Sequence, residues 1–278
     1  MSETPAERLP DGLHHISRGS SIDGEGYEVV GGDLPKPVLS GVVTVAPDLD
    51  SLIELMAADL FVHAERSLIT NSSFHMALTV GPVQMRLYER LMCDVTLRSF
   101  PWSRTHLWMA AQRIDNDDYQ EIYETLVLHS GVPAENCHPW KPIDDEPPGH
   151  TYEALLKSEL QSRNEGSRRL DYVLLSLDSD GGIAAIKPAS NVARNRQTGL
   201  VTDSNGQRWL TLGLDILSDA RFISVVAAGQ EMAPTVELVR SMTASGAEDL
   251  PIMGLSPAKG GHLKWYLDRA ACPEENGK

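Results

Sequence analysis

Short apolar runs alternate with amphipathic segments along most of the chain, and this alternation limits the possible folds more than any other feature of the sequence. Val42, Val43 and Val45 read as a short strand. Asp48-Leu49-Asp50-Ser51 then offers helix-capping oxygens ahead of the apolar series Leu52, Ile53, Leu55, Met56, Leu60 and Phe61. The pattern recurs as a strand over Phe74–Val80 with a helix over Gln84–Met92, and as a strand over Thr105–Met109 with a helix over Asp118–Ser130. A helix over Tyr152–Leu160 leads to a strand over Asp171–Leu177, and a strand over Phe222–Ala227 leads to a helix over Glu231–Thr243. Strands separated by helices must be joined by crossover connections, which predicts an α/β fold: a mostly parallel, Rossmann-like sheet with helices on both faces. One segment departs from the rhythm. Leu200-Val201-Thr202 and Trp209-Leu210-Thr211 flank Asp203-Ser204-Asn205-Gly206, where Asn-Gly suits the positive φ angles of a tight turn, so a small β-hairpin is expected beside the sheet.

Residues 1–38 carry six glycines and a Pro35-Lys36-Pro37 punctuation with little apolar periodicity, too little to offset the entropy of ordering. They are expected to form a flexible N-terminal arm, and residues 39–278 a single α/β domain. The stretch Ile143–Gly149, with its Asp-Asp-Glu-Pro-Pro run, reads as an exposed loop. With 24 Lys plus Arg against 39 Asp plus Glu, the 278-residue chain carries a formal charge of −15, so neither a nucleic-acid backbone nor an anionic membrane is an expected partner. The start, Met1-Ser2-Glu3-Thr4-Pro5, is acidic and polar where a secretory leader is basic and then apolar, and no apolar run reaches membrane-spanning length. A cytoplasmic location is the expectation. Cys93, Cys137 and Cys272 lie far apart with no Cys-x-x-Cys pair and read as reduced thiols.

Ligands of open parallel sheets sit beyond the carboxyl ends of the strands, which singles out the loops directly after them. Gly81 opens Gly81-Pro82-Val83-Gln84 at the start of a helix whose free N–H groups suit a phosphate; the alternative is a plain strand-to-helix turn. Arg113 follows the strand over Thr105–Met109 and suits bidentate contact with phosphate or carboxylate, or else an internal salt bridge to the acidic turn Asp115-Asn116-Asp117-Asp118. Asp178-Ser179-Asp180-Gly181-Gly182 is the most loop-specific sequence in the chain. Its adjacent glycines Gly181 and Gly182 permit close backbone approach to a ligand and Asp180 is placed to orient a water or a sugar hydroxyl, against the alternative of an Asp-Gly turn with a helix cap. Histidine, the usual general base near neutral pH, is found in none of these loops. His-Glu-x-x-His, Gly-x-Ser-x-Gly and Walker-type Gly-Lys-Ser are all missing, which leaves zinc peptidase, serine hydrolase and P-loop chemistry without support.

The order of these elements resembles the 6-phosphogluconolactonase and glucosamine-6-phosphate deaminase family over roughly residues 40–272. The scaffold matches are Ala77-Leu78 leading to Leu87-Tyr88-Glu89-Arg90-Leu91, Val132-Pro133-Ala134-Glu135-Asn136 with His138, Leu174-Leu175 before Asp180-Gly181, Arg208 with Thr211, Ala220 and Gly229, and Trp265-x-Leu267-Asp268-x-Ala270. The family's functional positions depart. Its Ser-Gly-Gly-Ser-Thr-Pro phosphate loop falls on Thr79-Val80-Gly81-Pro82-Val83-Gln84, and its Asp-Glu-Arg element on Ala111-Gln112-Arg113. Its Gly-x-Gly-x-Asp-Gly-His-Thr-Ala-Ser element falls on Ser176–Ala185, with Gly182 where the family has its histidine, and a Gly-x-x-Lys element becomes Gly229-Gln230-Glu231-Met232.

The resemblance implies hydrolysis of 6-phosphogluconolactone to 6-phosphogluconate by an activated water, with no metal and no cofactor. Losing a general base costs about 10²- to 10⁴-fold in rate, so the reaction is expected to be weak or lost here. On this resemblance Asp180 is the remaining catalytic candidate, and Gly81, Arg113, Gly181, Gly182 and Arg208 are the remaining substrate-binding candidates. The implied partner is a small anionic sugar or sugar phosphate. The alternative is a non-catalytic protein that binds a sugar phosphate or a pentose-phosphate enzyme.

Overall fold

A computed structural model describes Leu34, residues 36–115, 118–141 and 149–273, together with a short antiparallel ladder between β1 (Ile16–Ser17) and β2 (Glu28–Val29). The expected N-terminal arm lies for the most part outside the described residues, as does the acidic loop up to residue 148. The remaining strands in chain order are β3 (Val42–Ala46), β4 (Phe74–Leu78), β5 (Thr105–Met109), β6 (Ala111–Arg113), β7 (Cys137–His138), β8 (Tyr172–Ser176), β9 (Gly199–Thr202), β10 (Arg208–Thr211), β11 (Phe222–Ala227) and β12 (His262–Asp268). Seven of them form one sheet in the order β3-β12-β11-β8-β4-β5-β7, and every pairing in it is parallel. The fold is the α/β arrangement expected from the alternation. The central strands β4 and β11 are buried along their whole length, as predominantly apolar strands covered on both faces must be.

The helices are α1 (Leu49–Thr70), α2 (Pro82–Cys93), α3 (Asp118–Ile122), α4 (Leu128–Ser130), α5 (His150–Gln161), α6 (Asn191–Asn195), α7 (Leu214–Asp219) and α8 (Ala233–Ser245). The Asp48 carboxylate caps α1 by accepting from Ser51 N at 2.8 Å, as its sequence context predicts. A π-helical turn at Tyr123–Val127 joins α3 to α4, so the helix expected over Asp118–Ser130 runs through with one widened turn.

Successive strand side chains alternate between faces. On one face Tyr172, Ser224, Lys264 and Tyr266 meet α1, where Asp59 takes a 2.6 Å hydrogen bond from Tyr266 OH and a direct ion pair from Lys264 Nζ. On the other face Trp108 packs edge-on against Tyr152 of α5, whose hydroxyl donates to His138 O at 2.8 Å. Helices therefore cover both faces.

Two buried polar groupings mark the amino end of the sheet. The Asp171 carboxylate accepts from Arg163 at 2.9 Å, from Ser67 Oγ at 2.7 Å and from His75 N at 2.8 Å, tying α1 and the segment after α5 to the starts of β4 and β8. Beside it His75, His106 and His138, on adjacent strands, stack with Trp108 into a ladder of rings. Trp108 Nε1 donates to His75 Nδ1 at 3.2 Å, so that nitrogen must be an acceptor and His75 is neutral, with its Nε2 proton directed to Ser73 Oγ at 3.0 Å. Burial, then the charges of His106, Arg163 and His138, push His75 down to about 2.

The expected hairpin forms, with β9 and β10 paired antiparallel, and two details differ from the sequence reading. A third strand joins it in the order β6-β10-β9, because Ala111–Arg113 pairs with β10 instead of forming a loop. The turn of the hairpin is also not the two-residue Asn-Gly type: within Asp203–Gly206 only Gly206 has positive φ, and Gly206 N bonds back to Asp203 O at 3.1 Å. The Asp203 carboxylate holds the wider loop by accepting from Asn205 N and Gln207 N.

Candidate functional site

The loops that follow β4, β8 and β11 meet at the carboxyl end of the sheet. After β8 the chain folds back on itself: Asp178 N bonds Gly182 O at 2.9 Å, Gly181 N bonds Asp178 O at 2.9 Å, and Ile183 pairs with Ile186 across a tight turn. Gly181 sits at φ +76° with Leu250 against its open side, the one position in this loop where the backbone requires glycine. Ala184 and Ala185 make the Ile183–Ile186 turn at φ 47° and 59°, a left-handed conformation that costs an L-residue about 1–2 kcal/mol.

This folding brings Lys187 onto the two acids of the loop. Its Nζ lies 2.8 Å from Asp178 Oδ2 and 3.3 Å from Asp180 Oδ2, with all three side chains about a third to half exposed. Burial opposes the Lys187 charge, and the hydrogen bonds and charges of Asp178 and Asp180 outweigh it, so the ammonium is held above its ordinary value. Asp180 Oδ1 also accepts from Gly182 N at 3.0 Å. Asp180, the catalytic candidate, is therefore one corner of an ion-paired turn. A Cβ added at Gly182 would meet Ile186 O at 2.7 Å, Asp180 Oδ1 at 2.9 Å and Asp178 Oδ2 at 3.1 Å, so the loop as built leaves no room for a side chain there.

Gly81 precedes α2 with φ 175°, extended backbone that any residue adopts, and no side chain caps the helix. Beneath it the fully buried Gln84 donates from Nε2 to Thr79 Oγ1 at 3.2 Å and to Ser176 Oγ. Thr79 Oγ1 gives its single proton to Leu174 O at 3.1 Å and can only accept from Gln84, which fixes the amide with its nitrogen toward Thr79. Gln84 Oε1 is left without a hydrogen-bond partner, 2.6 Å from where a Gly81 Cβ would stand.

The two arginines are not brought together. Arg113 lies on β6 and is held by Asp118, which accepts from its Nε at 2.6 Å and from its backbone N at 2.6 Å; Glu121 is 3.3 Å away and the guanidinium rests over Trp209 at 5.5 Å. This is the internal salt-bridge alternative, with Asp118 fully buried. Arg113 pairs across the ladder with Trp209, so Arg208, one residue earlier on β10, faces the other side of this small sheet, where it bonds the exposed Asp115 at 2.8 Å.

One feature of this end escapes sequence reasoning. A cavity of about 340 Å³ opens beyond β7, walled by Gln112, Tyr119, Cys137, Pro139, Trp140 and Lys141. Gln112 builds it by clasping the Trp140 backbone, accepting from its N at 3.0 Å and donating to its O at 3.3 Å. Pro139-Trp140-Lys141 directly after a short edge strand was the available signal, hidden because β7 is only two residues long.

Comparison with known proteins places this geometry. The family model described as glucosamine-6-phosphate isomerases/6-phosphogluconolactonase matches residues 47–265. A human protein described as GDH/6PGL endoplasmic bifunctional protein is 28% identical over 236 residues, 79% of this chain, but the match spans only 28% of that protein's length. The 6-phosphogluconolactonase of Haemophilus influenzae is 22% identical over 233 residues, covering 81% of this chain and 96% of its own. Among solved structures, the 6-phosphogluconolactonase of Thermotoga maritima superposes with a TM-score of 0.65 at 18% identity, over 82% of this chain and 99% of that one. A monomeric glucosamine-6-phosphate deaminase gives a TM-score of 0.64 at 17% identity, over 83% and 98%.

Proposed function

Because the chain belongs to the glucosamine-6-phosphate isomerase/6-phosphogluconolactonase family, we propose that it keeps the family's carbohydrate-binding end of the sheet and hydrolyses 6-phosphogluconolactone weakly or not at all. The observation that carries this reading is Gly182. The histidine that the family resemblance implies is missing, and the space such a side chain needs is taken by Ile186 O and by the carboxylates of Asp178 and Asp180. Asp180 does not replace it, since its carboxylate is engaged by Lys187 and by Gly182 N. A binding role explains why the sheet and its buried networks persist while the water-activating group does not, because folding constrains the core and chemistry alone constrains a base. We include a cytoplasmic location in this proposal, supported by the free thiols of Cys93, Cys137 and Cys272; among the described residues no helix is long and apolar enough to cross a membrane.

The test is a coupled assay of 6-phosphogluconolactone hydrolysis above the spontaneous rate, with the wild type and Asp180→Ala side by side. The expected result is no protein-dependent rate in either. A wild-type rate that disappears in Asp180→Ala overturns the proposal and makes Asp180 the base of a rearranged lactonase.

A further inference from the structure

The cavity beyond β7 is separate from the loops that follow β4, β8 and β11, none of which contributes to its wall. Its volume of about 340 Å³ falls at the small end of the range that small-molecule sites occupy. A polar clasp assembles the wall. Gln112, buried on β6, accepts from Trp140 N at 3.0 Å and donates to Trp140 O at 3.3 Å. Only an amide can do both, since a carboxylate at this position would keep the first bond and lose the second. Pro139 restricts the chain further, because its ring fixes φ and it has no N–H. The half-buried Trp140 side chain therefore stands on a backbone held from both sides, and it packs in part against the core.

The rest of the wall is aromatic, apolar or neutral, with one exception. Tyr119, from α3, shares a hydrogen bond with Cys137 of β7. The Cys137 thiol gives its own proton to Pro133 O at 3.6 Å, so the Tyr119 hydroxyl is the donor to Sγ. Burial raises both groups, the thiol against the opposing pull of Tyr119, and neither carries negative charge near neutral pH. Glu135, whose charge reaches Cys137, is exposed and lies outside the wall. The exception is the exposed Lys141, the one charged side chain of the wall among the described residues.

We propose that this cavity binds a planar aromatic ring carrying a carboxylate, with the ring against Trp140 and Tyr119 and the carboxylate on Lys141 Nζ. A flat ring suits the wall because indole and phenol groups gain from offset stacking and edge contacts beyond the area they cover. A carboxylate suits it because Lys141 supplies positive charge while the wall offers no ionised acceptor among the described residues, which disfavours a cationic ring. The site is independent of the carbohydrate reading, because it shares none of the loops on which that reading stands.

The experiment titrates the full chain calorimetrically with 1-naphthoate and with its neutral match, 1-naphthamide, at low ionic strength. Naphthoate is expected to bind saturably and about fivefold more tightly than the amide, the size of an exposed ion pair. Lys141→Met, at an exposed position with little folding risk, should bring naphthoate to the affinity of the amide and leave the amide unchanged. Trp140→Leu should weaken both by roughly fivefold or more through loss of the ring contact. Saturable binding of neither ring overturns the proposal. Equal binding of the two by the wild type, or a naphthoate affinity unchanged in Lys141→Met, overturns it by removing the carboxylate from Lys141. Affinities unchanged in Trp140→Leu overturn it by placing the ring elsewhere.

Discussion

Acid should unfold this protein before its carboxylates titrate, because several histidines are folded in as neutral bases. His75 is pushed down to about 2 by burial and by the charges of His106, Arg163 and His138. His63, on α1 with its ring tilted against Phe222, is pushed down to about 4 by burial against the opposing pull of Asp59. In the unfolded chain both return to 6.5. The unfolded state therefore binds the extra protons, and stability is complete above 6.5 and falls as pH drops through 6.5 toward the folded values. At pH 5 each of these two histidines has cost about 2 kcal/mol relative to pH 8, about 4 kcal/mol together. His106 and His138 are lowered too, His106 by burial and Arg163 against Glu159, His138 by burial and His106, and they act in the same direction. A loss of this size is a large fraction of a typical domain's stability. Urea unfolding followed by tryptophan fluorescence at pH 8, 6.5 and 5 measures it. His75→Gln should lower stability at pH 8, where its bonds to Trp108 and Ser73 are lost, and should reduce the pH slope between 6.5 and 5 by about 1.4 kcal/mol per unit, the value of one proton. The reasoning is refuted if wild-type stability changes by less than about 0.5 kcal/mol between pH 8 and 5, or if His75→Gln keeps the full slope.

Further outcomes follow from the loops and the buried ion pair. Gly182→His, which introduces the histidine that the family resemblance implies, should yield no lactonase rate in the coupled assay and should destabilise by about 1–3 kcal/mol, because its Cβ is met by Ile186 O. Ala185→Gly should stabilise by about 0.5–1 kcal/mol in urea unfolding, since φ 59° is strained for alanine and free for glycine. Asp171→Asn should destabilise by about 3–5 kcal/mol, measured the same way, because it leaves Arg163, 1% exposed, with a buried uncompensated charge.

The strands that periodicity finds are those with predominantly apolar runs and no charged residue inside them: β5 and β11 fall on the predicted residues, and β4 and β8 end within two. β12 escapes because its run, His262–Asp268, is broken by Lys264, and a lysine in mid-strand reads as solvent-facing. Here it is buried because Asp59, more than two hundred residues earlier, neutralises it, a pairing visible only once α1 lies across the sheet. The fate of Arg113 was legible as one of two alternatives, since its partner Asp118 is five residues away. The meeting of Lys187 with Asp178 was not, because it depends on a turn of two alanines in a backbone conformation that sequence statistics assign to glycine and asparagine.

The two ends of the sheet divide the work. At the amino end and across both faces, buried groups hold one another through partners from distant segments: Asp171 with Arg163, Ser67 and His75, and Asp59 with Lys264 and Tyr266. Removing any of these leaves a buried charge or donor unsatisfied, so stability binds them together. At the carboxyl end the contacts are local and partly exposed, as with Lys187 and the acids within nine residues of it or Arg208 and Asp115. Exposed pairs of that kind contribute little to stability, so substitutions in the loops that carry them leave the sheet beneath intact. Gln84 is the point where the two regimes touch: it is locked from below by Thr79 and Ser176 and turns its unpartnered oxygen to the loop above.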